Sequence, residues 1–210
     1  MPYLVSLLTI AGIYLAVLAS PGPNFFILSQ LALEGQHKAA RFVVLGLTTG
    51  SIFWVVLALA GLSTLLAQHP WLATGARVAG AAYLLWYGAG LLRSAIRPRS
   101  SVPGAQARTP RLASPMAAYR SGLLTGVTNP KGAAFWTSAF AALFPLHAPA
   151  WFYVATVLLV TTLSLGWHLG ITWVFGNAAL RRGYLRMERA VNGLAGGALV
   201  LLGIQRLAGR

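Results

Sequence analysis

Residues 3–33 read YLVSLLTIAGIYLAVLASPGPNFFILSQLAL, an apolar run with no charged side chain before Glu34. A helix needs about 20 such residues to cross a bilayer. The run is therefore long enough for one span, and it carries an internal interruption at Pro21-Gly22-Pro23-Asn24. Each proline lacks an N–H and clashes with the carbonyl one turn back, while the glycine between them adds backbone freedom. The spacing predicts two helical pieces inside one span, with Asn24 capping the resumed piece through its side chain.

Five further apolar stretches follow, near 42–66, 71–92, 123–146, 151–175 and 191–207, separated by basic or turn-rich gaps. Composition agrees with a chain that lives in lipid. It is 57% hydrophobic and 9% charged, against roughly 25% charged in a soluble domain. Its two acids, Glu34 and Glu188, are too few to make a water-exposed surface for 210 residues. The first twenty residues lack the basic n-region of a signal peptide and are expected to be retained.

The fold class expected is all-α: a polytopic membrane protein of six transmembrane helices in two inverted three-helix halves. The gaps alternate in charge. Lys38 and Arg41 follow the first span, the Gln68-His69-Pro70 gap has no Lys or Arg, and the gap from Arg93 to Arg120 is rich in Arg. His147 to Ala150 is again free of Lys and Arg, whereas Arg181, Arg182, Arg186 and Arg189 crowd the gap before the last span. Basic gaps face the cytoplasm, which puts both termini outside and leaves Arg77, Arg206 and Arg210 as exceptions. The net charge of +14 is thus a topology signal, helped by attraction to anionic membrane lipids. It does not indicate nucleic acid, which would need a folded basic face in water.

Residues 97–115 are dense in helix breakers and read as a cytoplasmic linker. They separate a first half, 1–96, from a second, 116–210. Three spans in each half means that the second enters the membrane with opposite orientation, the arithmetic of an inverted repeat. Residues 80–93 (GAAYLLWYGAGLLR) and 193–206 (GLAGGALVLLGIQR) align without gaps, a modest trace of that repeat.

The fourth span has its own break at Asn129-Pro130-Lys131, the counterpart of Pro21-Gly22-Pro23-Asn24. Freed backbone groups cost several kcal/mol each in hydrocarbon, so an unwound stretch needs protein or a watery cavity around it. A restarted helix offers unpaired N–H groups and the positive end of its dipole to a carboxylate. Paired interrupted spans in equivalent positions point to a transporter's substrate site, although proline in membrane helices also produces simple kinks. Lys131 has two readings: a buried ammonium for a substrate carboxylate, or a side chain that snorkels to the cytoplasmic surface.

Other polar residues are candidates for a pathway or for coupling. Ser164 and His168 in the fifth span stand among Thr161, Thr162 and Trp167; His168 is a candidate proton carrier, and the hydroxyls equally serve to bond their own helix. Thr48 lies between Gly46 and Gly50, a small-xxx-small pattern that lets another helix come close. Glu34 near Lys38 is either a coupling carboxylate or ordinary surface chemistry.

Rival functions lack their residues. A membrane enzyme needs acids, histidines or metal ligands gathered at one face, and His37, His69, His147 and His168 are scattered. No catalytic group, metal site or cofactor is expected. The absence of cysteine removes a thiol electron carrier. A non-transporting membrane scaffold remains compatible with composition.

Four motifs carry a family resemblance over essentially the whole chain: Ser20-Pro21-Gly22-Pro23, Gly46 to Gly50, Ala81-Ala82-Tyr83-Leu84 with Gly88, and Thr128-Asn129-Pro130-Lys131. With these the chain resembles the LysE/RhtB amino-acid exporters. The resemblance implies a six-helix protein of the bacterial cytoplasmic membrane that exports amino acids or related small metabolites, driven by the proton gradient. It places Pro21, Gly22, Pro23, Asn129, Pro130 and Lys131 in the transport core. Many members carry an acid in the fifth helix where this chain has Gly166, with His168 close by. Scarcity of acids argues for a neutral amino acid as the small-molecule partner, because a second cationic head would want a fixed counter-charge, and the resemblance implies a homoserine-like or threonine-like one. A second copy of the chain is a further possible partner.

Overall fold

The computed structural model describes residues 2–59, 70–96, 112–129, 131–132, 135–136 and 148–208. Among the described residues the helices are α1 (Pro2–Ala19), α2 (Pro23–Leu33), α3 (His37–Leu57), α4 (Pro70–Ile96), α5 (Pro115–Thr128), α6 (Ala150–Gly176) and α7 (Ala178–Leu207). The described residues contain no strand. Among them, α3 and α6 are each long and apolar enough to cross a bilayer alone. The pair α1 and α2 qualifies as one broken span bent by 56°. The rest of the stretch expected at 123–146 and the linker at 97–115 lie largely outside the described residues.

The first break forms where proline chemistry predicts it, with one correction. Gly22 is the N-cap of α2, Pro23 takes the first helical position, and no side chain caps the helix. Asn24 sits inside the first turn, two residues past the cap position, and its side chain is committed elsewhere. Gly22 is in extended backbone (φ −165°), so its conformational freedom is unused there; what matters is its missing side chain, since a Cβ would meet Lys131 Cδ at 3.4 Å. Gly35, at φ +70°, is the glycine whose freedom is needed. It ends α2 in a Schellman turn, with Gln36 N donating to Leu31 O (2.8 Å) and Gly35 N to Ala32 O (3.2 Å).

Helix directions follow from which residues meet. Gly46 and Gly50 of α3 lie against Gly122 and Gly126 of α5, so these helices run parallel with backbones in direct contact. Helices α4 and α7 are antiparallel: a Cβ added to Gly88 or to Gly196 would come within 2.8 Å of the other's carbonyl oxygen. The two segments whose sequences align therefore rest on each other. Tyr3 packs against Trp151 and Phe152, and Phe25 against Phe175, so the broken span runs parallel to α6.

The buried side chains form two groups divided at the first break. Ile10, Ile13, Tyr14 and Val17 of α1 join Leu84, Phe135, Phe152 and Leu199; Phe25, Leu28 and Leu31 of α2 join Val43, Leu47 and Phe175. The outward surface is apolar, with Trp86 71%, Trp173 68% and Leu194 77% exposed, as lipid-facing side chains are.

Candidate functional site

The two breaks meet inside the protein. Helix α2 has 11 residues and α5 has 14, so at 1.5 Å per residue the breaks stand about 16 and 21 Å from the far ends of these helices. Asn129 Nδ2 donates to Asn24 Oδ1 at 3.0 Å, and Asn129 Oδ1 accepts from Lys131 N at 3.0 Å. One amide therefore stitches its own break and fastens it to the other. Trp54 Nε1 donates to Val127 O at 3.2 Å, meeting one of the carbonyls that the end of α5 leaves without a helical partner.

Lys131 turns inward. Its Nζ donates to Ser20 O and Ser20 Oγ, each at 2.7 Å, and lies 5.6 Å from the centre of the Tyr87 ring. Ser20 Oγ is also hydrogen-bonded to Tyr87 Oη. The ammonium thus sits at the C-terminal end of α1, where unpaired carbonyls give the dipole its negative pole. These partners are all neutral. Glu34 is exposed beyond the end of α2, where Gln36 Nε2 donates to it at 2.7 Å, and among the described residues no carboxylate lines the cavity described next.

Around these groups lies a cavity of about 50 Å³ whose wall includes Gly22, Asn24, Asn129, Lys131 and His168. On the scale of roughly 30 Å³ for one water in the liquid this space is small, and a solute the size of an amino acid requires the walls to part. His168 is buried. Its Nδ1 is 3.2 Å from Ser164 Oγ, which in turn is 3.2 Å from Thr48 Oγ1 and donates to Ser51 Oγ at 3.5 Å. This line of hydroxyls joins α6 to α3 just behind the cavity.

Of the residues singled out in the sequence, Gly22, Asn24, Asn129, Lys131 and His168 are brought to one wall, and Thr48 and Ser164 stand behind it. Pro21 and Pro23 shape the break without lining the cavity, Glu34 is remote, and Pro130 lies outside the described residues. Sequence reasoning missed Tyr14, Ser51, Trp54 and Tyr87 as parts of the site. Nothing local marks them, since tyrosine, serine and tryptophan are ordinary in membrane helices.

Residues 15–209 match the family described as LysE type translocator. The chain is 33% identical over 204 residues to the threonine efflux protein of Salmonella typhi, covering 96% of this chain and 97% of that one. It is 32% identical over 204 residues to the threonine efflux protein of Escherichia coli K12, with 97% and 98% covered. A more distant relative, the uncharacterized membrane protein YahN of Escherichia coli K12, is 28% identical over 190 residues, with 88% and 81% covered. No solved structure matches the chain.

Proposed function

We propose, since the chain belongs to the LysE type translocator family, that it exports small neutral amino acids such as threonine across the bacterial cytoplasmic membrane. Membership makes it a translocator and not an enzyme. The observation that carries the substrate reading is Lys131, an ammonium held between two helix breaks with only neutral partners. A substrate carboxylate supplies the counter-charge this cation lacks and makes with it a charge-assisted hydrogen bond. The threonine efflux relatives support the size and neutrality of the substrate.

Coupling to the proton gradient, on this reading, runs through His168 and the hydroxyl line Ser164–Thr48, because no carboxylate lines the cavity among the described residues. Counterflow of labelled threonine in proteoliposomes tests the whole reading. Threonine is expected to accumulate, and faster with an imposed pH gradient. No threonine movement would remove the amino-acid assignment, and movement indifferent to the gradient would remove the coupling.

Six spans with both termini outside is the topology we infer. The pair directions support it: parallel α3 and α5, antiparallel α4 and α7, and a broken first span parallel to α6 are what alternating spans require. The chain has no cysteine, so single cysteines report position without background. Gln68→Cys is expected to react with an impermeant thiol reagent in whole cells, and Arg182→Cys only after the membrane is opened. The reverse pattern would overturn the topology.

A further inference from the structure

Tyr14 is 3% exposed, and its ring is held by Phe135 at 5.9 Å and Trp136 at 5.1 Å between centroids. It lines the cavity with its hydroxyl beside those of Ser51 and Ser164, yet among the described residues that hydroxyl has no hydrogen-bond partner. On the same wall Ser20, Asn24, Ser51, Asn129, Lys131 and His168 are all bonded. A buried phenol left unpaired is costly, and a cavity that bears one is poised for a ligand that completes it.

We infer that Tyr14 and Ser51 form a subsite that reads a hydroxyl on the substrate's side chain. The donors and acceptors fit. Ser51 spends its proton on Leu47 O at 3.2 Å and accepts from Ser164 Oγ at 3.5 Å, which leaves its second lone pair able to accept. Tyr14 O–H donates to the substrate oxygen, and the substrate O–H donates to Ser51 Oγ. A hydroxyl can satisfy both partners at once, whereas a methyl satisfies neither. The subsite lies on α1 six residues before the Ser20 that holds Lys131, about 9 Å of helix rise. That separation allows a ligand with its carboxylate at Lys131 to present a side-chain hydroxyl at Tyr14.

The inference rests on the amino-acid reading and adds selection for hydroxylated side chains. Threonine and valine test it because they differ by a hydroxyl in place of a methyl. A site that hydrogen-bonds a hydroxyl discriminates strongly against the analogue lacking it. In counterflow with wild-type protein, threonine and serine are expected to compete at least about 100-fold better than valine. Tyr14→Phe keeps the ring and its packing, and is expected to cut the threonine-to-valine ratio at least about 10-fold, mainly by weakening threonine; Ser51→Ala is expected to act in the same direction. A monodisperse elution profile establishes that each variant is folded. A wild-type protein that moves threonine and valine alike, or a Tyr14→Phe variant with an unchanged ratio, would overturn the subsite while leaving amino-acid export standing. Absence of threonine transport in the wild type would overturn both.

Discussion

Lys131→Met is expected to lower threonine counterflow by about 100-fold while leaving the folded protein at least as stable as before. The first half follows from the ammonium's surroundings: Ser20 and Tyr87 are neutral, so a bound carboxylate loses the opposite charge that Lys131 supplies on the cavity wall. Truncating one member of a buried charged pair costs about 2–5 kcal/mol, and 2.7 kcal/mol corresponds to about 100-fold. The second half follows from what a buried charge costs in the empty protein, since replacing it by an apolar side chain of similar length is often neutral or stabilising. Lys131→Arg keeps the charge but carries it on a planar fork, so an intermediate rate is expected. Measuring transport and thermal stability on the same purified variants separates the roles. A Met variant that transports at the wild-type rate would remove Lys131 from the site, and one that unfolds would make it a structural residue.

Gly122→Ala is expected to be, together with Gly46→Ala, the most damaging single methyl among the glycines of the α3–α5 contact, lowering stability by about 3 kcal/mol, the upper range for overpacking. Its added carbon would strike the backbone of Val43, and Gly46→Ala would strike that of Tyr119. Backbone cannot rotate away as a side chain can, so the helices would have to separate. The series has an internal scale. At Gly126 the nearest atom is Leu47 O at 3.3 Å, a tight contact that a shift of tenths of an ångström relieves, so a milder loss is expected. Gly166 has nothing within 4 Å, and alanine there is expected to be neutral or stabilising by up to about 1 kcal/mol, the difference in helix propensity. Melting of the four variants in detergent reads the order directly. Equal melting temperatures for Gly122→Ala and Gly166→Ala would contradict the close approach.

The parts of this protein legible from its sequence are those governed by local covalent chemistry. Proline lacks an N–H and crowds the carbonyl one turn back, so both interruptions could be located from 20–24 and 129–131, and Gly46-xxx-Gly50 announced a close helix partner. The identity of that partner was not announced, although Gly122 and Gly126 repeat the same spacing. What stayed hidden is which side of each helix faces inward. A soluble helix betrays its core by an apolar stripe, but a lipid-facing side is as apolar as the core. Trp86 is 71% exposed and Trp136 2%, with nothing in residue type to tell them apart. The same blindness covers Tyr14 and Tyr87, whose meaning depends on partners far along the chain, and Asn24, which its position suggested as a cap and which instead bonds a residue 105 positions away.

The glycine seam between α3 and α5 also limits how the molecule can move. Where backbones touch with no side chains between them there is no slack, because a displacement of about one ångström turns contact into overlap. The two helices therefore share one set of rigid-body coordinates. Asn129 ends α5 and is tied to Lys131, so this part of the cavity wall travels with the seam, while Ser20 travels with α1. Lys131 and Ser20 therefore stand on different elements, and the distance between them reports how far these two parts of the cavity wall separate. A pair of spectroscopic labels flanking these residues would follow it as one distance.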